Sequence, residues 1–203
     1  MKILYIESKQ KNLKAELSKS EIVKLPKKIF LAYSIQYKDL SYNIAKQLKK
    51  SKIKIEKTQQ VLGCSKVNTK LPILLIGTGR FHAQNLYLQT PILYILENNK
   101  IIKISKDEIN RLKARKKTAL IKFLKADNIG ILVSTKPGQE NLKQAEVLKK
   151  KLENKNKKKH IFISNNIDIN QFENFNIQSW VNTACPGLAN DSSDIINIGD
   201  IPQ

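Results

Sequence analysis

Residues 72–76, Pro72 followed by Ile73, Leu74, Leu75 and Ile76, form a wholly apolar run that stops abruptly at Gly77. A strand of that composition has no polar side to offer water, so it belongs in a sheet covered on both faces. Such sheets are parallel and helix-covered, because joining parallel neighbours takes a crossover of about a dozen residues or more. The run therefore points to an α/β fold before any other residue is read. Residues 29–35 and 129–133 repeat the pattern.

Helical periods lie between these runs. Asp39 is placed to cap a helix to about Lys49, with Leu40, Ile44 and Leu48 on one face. Ser105 and Glu108 have capping-box spacing for a long basic helix to about Ala126, with Ile109, Leu112, Leu120 and Leu124 inward. Residues 140–154 predict a third helix. Short strands are expected at 1–6, 53–55, 92–96, 101–104, 160–164 and 177–181, with irregular helical turns over 167–175. The expected architecture is two similar three-layer α/β domains with mainly parallel sheets, residues 28–105 and 106–203. A remnant strand and linker over 1–27 precede them, and the long basic helix bridges them.

Lys and Arg number 37 against 17 Asp and Glu, a net charge of +20. A positive field of that size attracts nucleic acid, ribosomes or acidic proteins. Lysines that merely solvate helix faces give the same composition. The densest run, 149–160, has no interleaved aromatic residue, so it reads as a helix end and solvated loop rather than a base-stacking platform. Two widely separated cysteines and no secretory apolar stretch at the amino terminus point to a reducing cytoplasm. No apolar run nears the roughly 20 residues needed to cross a bilayer.

Cys64 and Cys185 each follow an apolar or β-prone run and sit in a small-residue turn, where α/β folds keep their chemistry. A free cysteine is often only a small hydrophobe, but two at predicted strand ends, both among small or turn residues and with no third cysteine to offer a structural explanation, ask for a shared one. Neither belongs to a C-x-x-C pair, so zinc is not indicated. His82 is the only nearby base for a catalytic thiol. Gly77, Thr78 and Gly79 can cradle an anion or simply form a tight turn; they lack the further glycine of a dinucleotide fingerprint and the Lys of a P-loop. Around Lys136, Pro137 and Gly138 is a turn signal that also presents the Gln139 amide, and Gln36 is a second amide just past a strand. Trp180 reads as core.

Taken in order, Gln36, then Val61, Leu62, Gly63 and Cys64, then Gly77, Gly79, Arg80, Phe81 and His82, then residues 134–139, then Thr183, Ala184, Cys185 and Pro186 resemble the motifs of the diphthamide synthesis enzymes, archaeal 2-(3-amino-3-carboxypropyl)histidine synthases. The resemblance covers about residues 28–190. It implies similar α/β domains around a central cleft, each of three domains giving one cysteine to a single 4Fe-4S cluster with one iron open to S-adenosylmethionine. Cys64 then matches the ligand of the middle domain and Cys185 that of the last. The implied enzyme is a transferase that moves a 3-amino-3-carboxypropyl radical from S-adenosylmethionine to a histidine of elongation factor 2, the first step of diphthamide synthesis. Gln36, Gly77, Thr78, Gly79, His82, Lys136 and Gln139 would lie around that substrate; no catalytic residue is assigned.

Two features depart from the family pattern. Residues 1–27 are too short for the family's first domain and hold no cysteine, so the third thiolate is expected from another chain in a homo- or hetero-oligomer. Gly187 stands where the family usually carries an arginine after Cys-Pro. Two other readings are a non-catalytic auxiliary subunit of the same fold and a basic RNA- or ribosome-associated protein.

Overall fold

The computed structural model describes residues 4, 6–11, 13–77, 81–90, 92–153, 157–190 and 192–202, with the Phe81 side chain excepted. The chain divides into two compact units, Met1–Ile109 and Asn110–Gln203.

In the first unit a single turn, α1 (Lys19–Ile22), precedes β1 (Lys28–Tyr33), α2 (Lys38–Lys50), β2 (Lys54–Gln60), β3 (Ile73–Ile76), α3 (Phe81–Leu86), β4 (Leu93–Glu97) and β5 (Lys100–Lys103). The sheet order is β2-β1-β3-β4-β5, parallel except for the β4/β5 hairpin. That hairpin turns on Asn98 and Asn99, at φ 47° and 61°, a left-handed pair that a two-residue hairpin demands and asparagine tolerates. The apolar strands sit in the middle, and Leu40, Ile44 and Leu48 of α2 pack on Ile29, Leu31 and Leu74. β2 runs on through Thr58, Gln59 and Gln60, beyond the expected 53–55; as an edge strand it can carry polar residues that hide its period.

Asp39 is not the cap of α2. A 3-10 turn over Ile35–Tyr37 leads straight into the helix, Tyr37 holds the cap position without a side-chain bond, and Asp39 lies in the first turn, where its charge suits the helix dipole. Residues 13–25, expected as a linker, carry Ala15, Leu17, Ile22 and Leu25 into the core. Gln47 of α2 anchors them: its Oε1 accepts from Leu17 N (2.9 Å) and its Nε2 donates to Ala15 O (2.8 Å). Of the strand expected over 1–6, residues 1–3 and 5 lie outside the described residues, and Leu4 and Ile6 are exposed and in no strand.

The second unit holds most of α4 (Lys106–Lys125), then β6 (Asn128–Ser134), α5 (Leu142–Glu153), β7 (Lys158–Ser164), β8 (Ser179–Asn182) and β9 (Ile195–Asn197). Its sheet is fully parallel in the order β7-β6-β8-β9. The predicted capping box opens α4: Glu108 N donates to Ser105 Oγ (3.2 Å) and Ser105 N to Glu108 Oε2 (3.4 Å). The buried stripe is Leu112, Ala119 and Phe123; Leu124 is exposed and Ile109 and Leu120 are half-buried, so the inward face is rotated from the expected one. Trp180 is core, stacked over Gly130, where a β-carbon would stand 2.3 Å from its ring. Residues Ile169–Phe175 form the expected irregular helical turns, as a 3-10 helix. The fold is thus α/β with mainly parallel sheets, as the apolar runs require.

Candidate functional site

In an open parallel sheet, ligands collect outside the carboxyl ends of the strands where the chain direction switches sides. In the first unit that point lies between β1 and β3. β1 is followed by Ser34 and, in the 3-10 turn, by the exposed Gln36, whose carbonyl accepts from Gln10 N (3.1 Å). β3 ends in the buried Gly77. Thr78 and Gly79 of the expected cradle lie outside the described residues, as does Arg80. This edge opens into a cavity of about 590 Å³ whose walls include Lys14, Tyr37, Gly77 and Glu97. His82 begins α3 half-buried, and burial pushes its imidazole pKa down, favouring the neutral ring.

Next to β1, β2 passes through buried Val61, whose N–H donates to Tyr33 O (2.8 Å), into a turn over residues 62–65. Ser65 closes the turn on both sides: its N–H donates to Leu62 O (3.1 Å) and its Oγ accepts from Leu62 N (2.8 Å). Cys64 sits on this turn as an exposed free thiol. Asn85 Nδ2 and Gln89 Nε2 both donate to Ser65 O, at 2.8 and 3.1 Å.

In the second unit the switch lies between β6 and β8. After β6, Lys136 N donates to Ser134 Oγ (3.1 Å) and Gln139 N to Lys136 O (3.0 Å), with Gly138 at φ 76° where a side chain would be strained. Lys136 and Gln139 are half-buried on this turn. After β8, Thr183 donates from both N–H (3.1 Å) and Oγ1 (2.8 Å) to Leu132 O, and Asn141 Nδ2 reaches across to Thr183 O (2.7 Å). The loops carrying Gln139 and Cys185 are thereby joined, and Cys185 is a half-exposed free thiol.

Each unit thus assembles its own set at one sheet edge: Gln36, Cys64, Gly77 and His82 in the first, Lys136, Gln139 and Cys185 in the second. Among the described residues no group of three or more His, Cys, Asp or Glu gathers to hold a metal. In each unit taken by itself, a free thiol on an accessible turn is a donor of the kind an iron–sulfur cluster takes. Sequence reasoning missed Asn85, Gln89, Asn182 and Asn197, which bind the cysteine turns. Asn182, three residues before Cys185, was the one with a local signal, since Asn often bonds the backbone two residues on.

A family model described as putative diphthamide synthesis protein matches residues 1–195. Among curated proteins, the 2-(3-amino-3-carboxypropyl)histidine synthase of Pyrococcus horikoshii is 28% identical over 130 residues, 63% of this chain and 38% of that protein. The crystal structure of Dph2 from Pyrococcus horikoshii superposes with a TM-score of 0.77 at 22% identity, over 89% of this chain and 58% of that one. The crystal structure of the same protein with a 4Fe-4S cluster gives 0.77 at 24% identity, with the same coverage. The chain spans less than two thirds of the length of these relatives, and the structural likeness shows a common fold.

Proposed function

Because this chain belongs to the diphthamide synthesis protein family, we propose that it is part of an iron–sulfur-dependent transferase that moves a 3-amino-3-carboxypropyl group from S-adenosylmethionine to a histidine of elongation factor 2. The observation that carries the reading is the placement of Cys64 and Cys185: each is a free thiol on a turn at the carboxyl end of a parallel strand, Cys64 after β2, on the far side of β1 from the switch point, and Cys185 after β8, at the switch point itself. Cys64 and Cys185 each supply one thiolate to a 4Fe-4S cluster, and the remaining ligation comes from outside residues 1–203. When bound and reduced, the cluster supplies the electron that breaks a carbon–sulfur bond of S-adenosylmethionine.

The chain's own part is to hold and orient. Gln36 and the Gly77 edge in the first unit, and Lys136 and Gln139 in the second, offer amide, backbone and cationic contacts to a substrate that carries both an amino acid and a nucleoside. Neutral His82 contributes a hydrogen bond without a competing charge. Among the described residues no helix is long and apolar enough to cross a membrane, and the proposed site of action is the cytoplasm.

Anaerobic reconstitution with ferrous iron and sulfide tests the reading through iron content and electron paramagnetic resonance. Bound iron should fall sharply in Cys64→Ala and in Cys185→Ala. Iron uptake indifferent to both substitutions would overturn it.

A further inference from the structure

Both cysteine turns are tied down by the same device, a pair of carboxamide side chains. In the second unit Asn182, only 1% exposed at the end of β8, saturates its amide on the Cys185 turn. Its Nδ2 donates to Cys185 O (2.8 Å) and to Asn197 Oδ1 (2.7 Å), while its Oδ1 accepts from Ala184 N (2.9 Å). Asn197, at the end of β9, donates its own Nδ2 to Pro186 O (3.2 Å). The residues before, at and after the sulfur-bearing position are therefore all bonded to this pair. In the first unit Gln89 Oε1 accepts from Val67 N (2.7 Å), Gln89 Nε2 donates to Ser65 O (3.1 Å) and Asn85 O (3.0 Å), and Asn85 Nδ2 donates to Ser65 O (2.8 Å).

The choice of amides has a chemical reason. A carboxamide donates and accepts at once, which neither a carboxylate nor an ammonium can do. It is also neutral at every working pH, so the turns keep their bonds whatever the state of the thiol. A carboxylate in the same place would disfavour thiolate formation by repulsion and offer iron a competing oxygen. A turn already fixed loses less conformational entropy when its thiolate takes up iron.

We propose that Asn182, Asn197, Asn85 and Gln89 are positioning residues that preset the two cysteine turns for metal ligation. The proposal rests on the reading of Cys64 and Cys185 as iron ligands, and two separate measurements keep the two apart. On the metal-free chain, amide hydrogen exchange at Ala184 and Val67 reads the clamp alone; Asn182→Ala should speed the first and Gln89→Ala the second. On the reconstituted chain, iron loss to a chelator should run about 10-fold faster in these variants, the usual scale for groups that orient a metal ligand. Asn182→Asp, which keeps the acceptor for Ala184 N and loses both donors, should restore part of the protection.

Asn182 is buried, so Asn197→Ala and Gln89→Ala, at half-buried sites, guard against a variant that merely fails to fold. Unchanged amide exchange, or unchanged iron loss in variants of a protein whose iron depends on Cys64 and Cys185, overturns the clamp. Iron retention indifferent to Cys185→Ala overturns the ligand reading instead, and amide exchange still decides whether the amides hold the turn.

Discussion

Ser34 Oγ stands 3.3 Å from the point that a β-carbon on Gly77 would occupy, and it is buried without a hydrogen-bond partner among the described residues. The ends of β1 and β3 therefore approach each other closely because one residue lacks a side chain and the other has a short one. Gly77→Ala should destabilise the first unit by about 1–3 kcal/mol through overpacking. Ser34→Ala removes the crowding atom and leaves Ser34's β-carbon 3.8 Å away, an ordinary contact, so the double variant should recover much of the loss. Urea unfolding of the four proteins measures the coupling; strict additivity would refute this account of the glycine.

Gly130 is the second obligatory glycine, for a different reason. An added β-carbon would lie 2.3 Å from two ring atoms of Trp180, which is buried and cannot swing away. Gly130→Ala should cost about 3 kcal/mol or more, beyond ordinary overpacking because an aromatic ring rather than a flexible tip must move. Trp180 is the only tryptophan, so its fluorescence reports the same event directly.

The pH dependence of stability should carry a contribution from His82. Burial holds its folded pKa below the ordinary value of 6.5, so the unfolded chain takes up a proton first as pH falls. Stability from this group is complete above about pH 6.5 and is lost as pH drops from there through the folded pKa. Urea midpoints at pH 7.5 and 5.5 should differ less in His82→Asn than in the parent chain. An equal difference would remove His82 from the explanation.

The two thiols should be distinguishable in the native, metal-free chain. Cys64 is exposed and Cys185 only half-exposed within a bonded turn, and access governs how fast a thiolate is trapped. Iodoacetamide labelling followed by peptide mass analysis should modify Cys64 first and both eventually. Faster labelling of Cys185 would contradict the described turns.

Much of this was readable along the chain. Residues 29–33, 73–76 and 129–133 are apolar on both sides, which leaves a doubly covered parallel sheet as the place for them, and each ends in a turn that must then lie at a carboxyl edge. Gln36, Gly77 and Gln139 were placed at strand ends by that argument alone, and the capping box of Ser105 and Glu108 was legible because its partners are three residues apart.

Other features had no local mark. The burial of Ala15 and Leu17 depends on Gln47, some thirty residues on, and the polar β2 extends through Gln60 only because β1 lends it hydrogen bonds. The face of α4 turned inward is chosen by what it packs against, which is why Phe123 is buried and Leu124 exposed. The same holds for the cysteine turns. Short-range chemistry along the chain marks where each thiol leaves its strand, since strand ends and turn residues announce themselves within a few positions. How firmly the turn is held depends on Asn85, Gln89 and Asn197, amides brought in from other elements by sheet order and helix packing, and hydrogen bonds of that kind exist only once the backbone has closed around them.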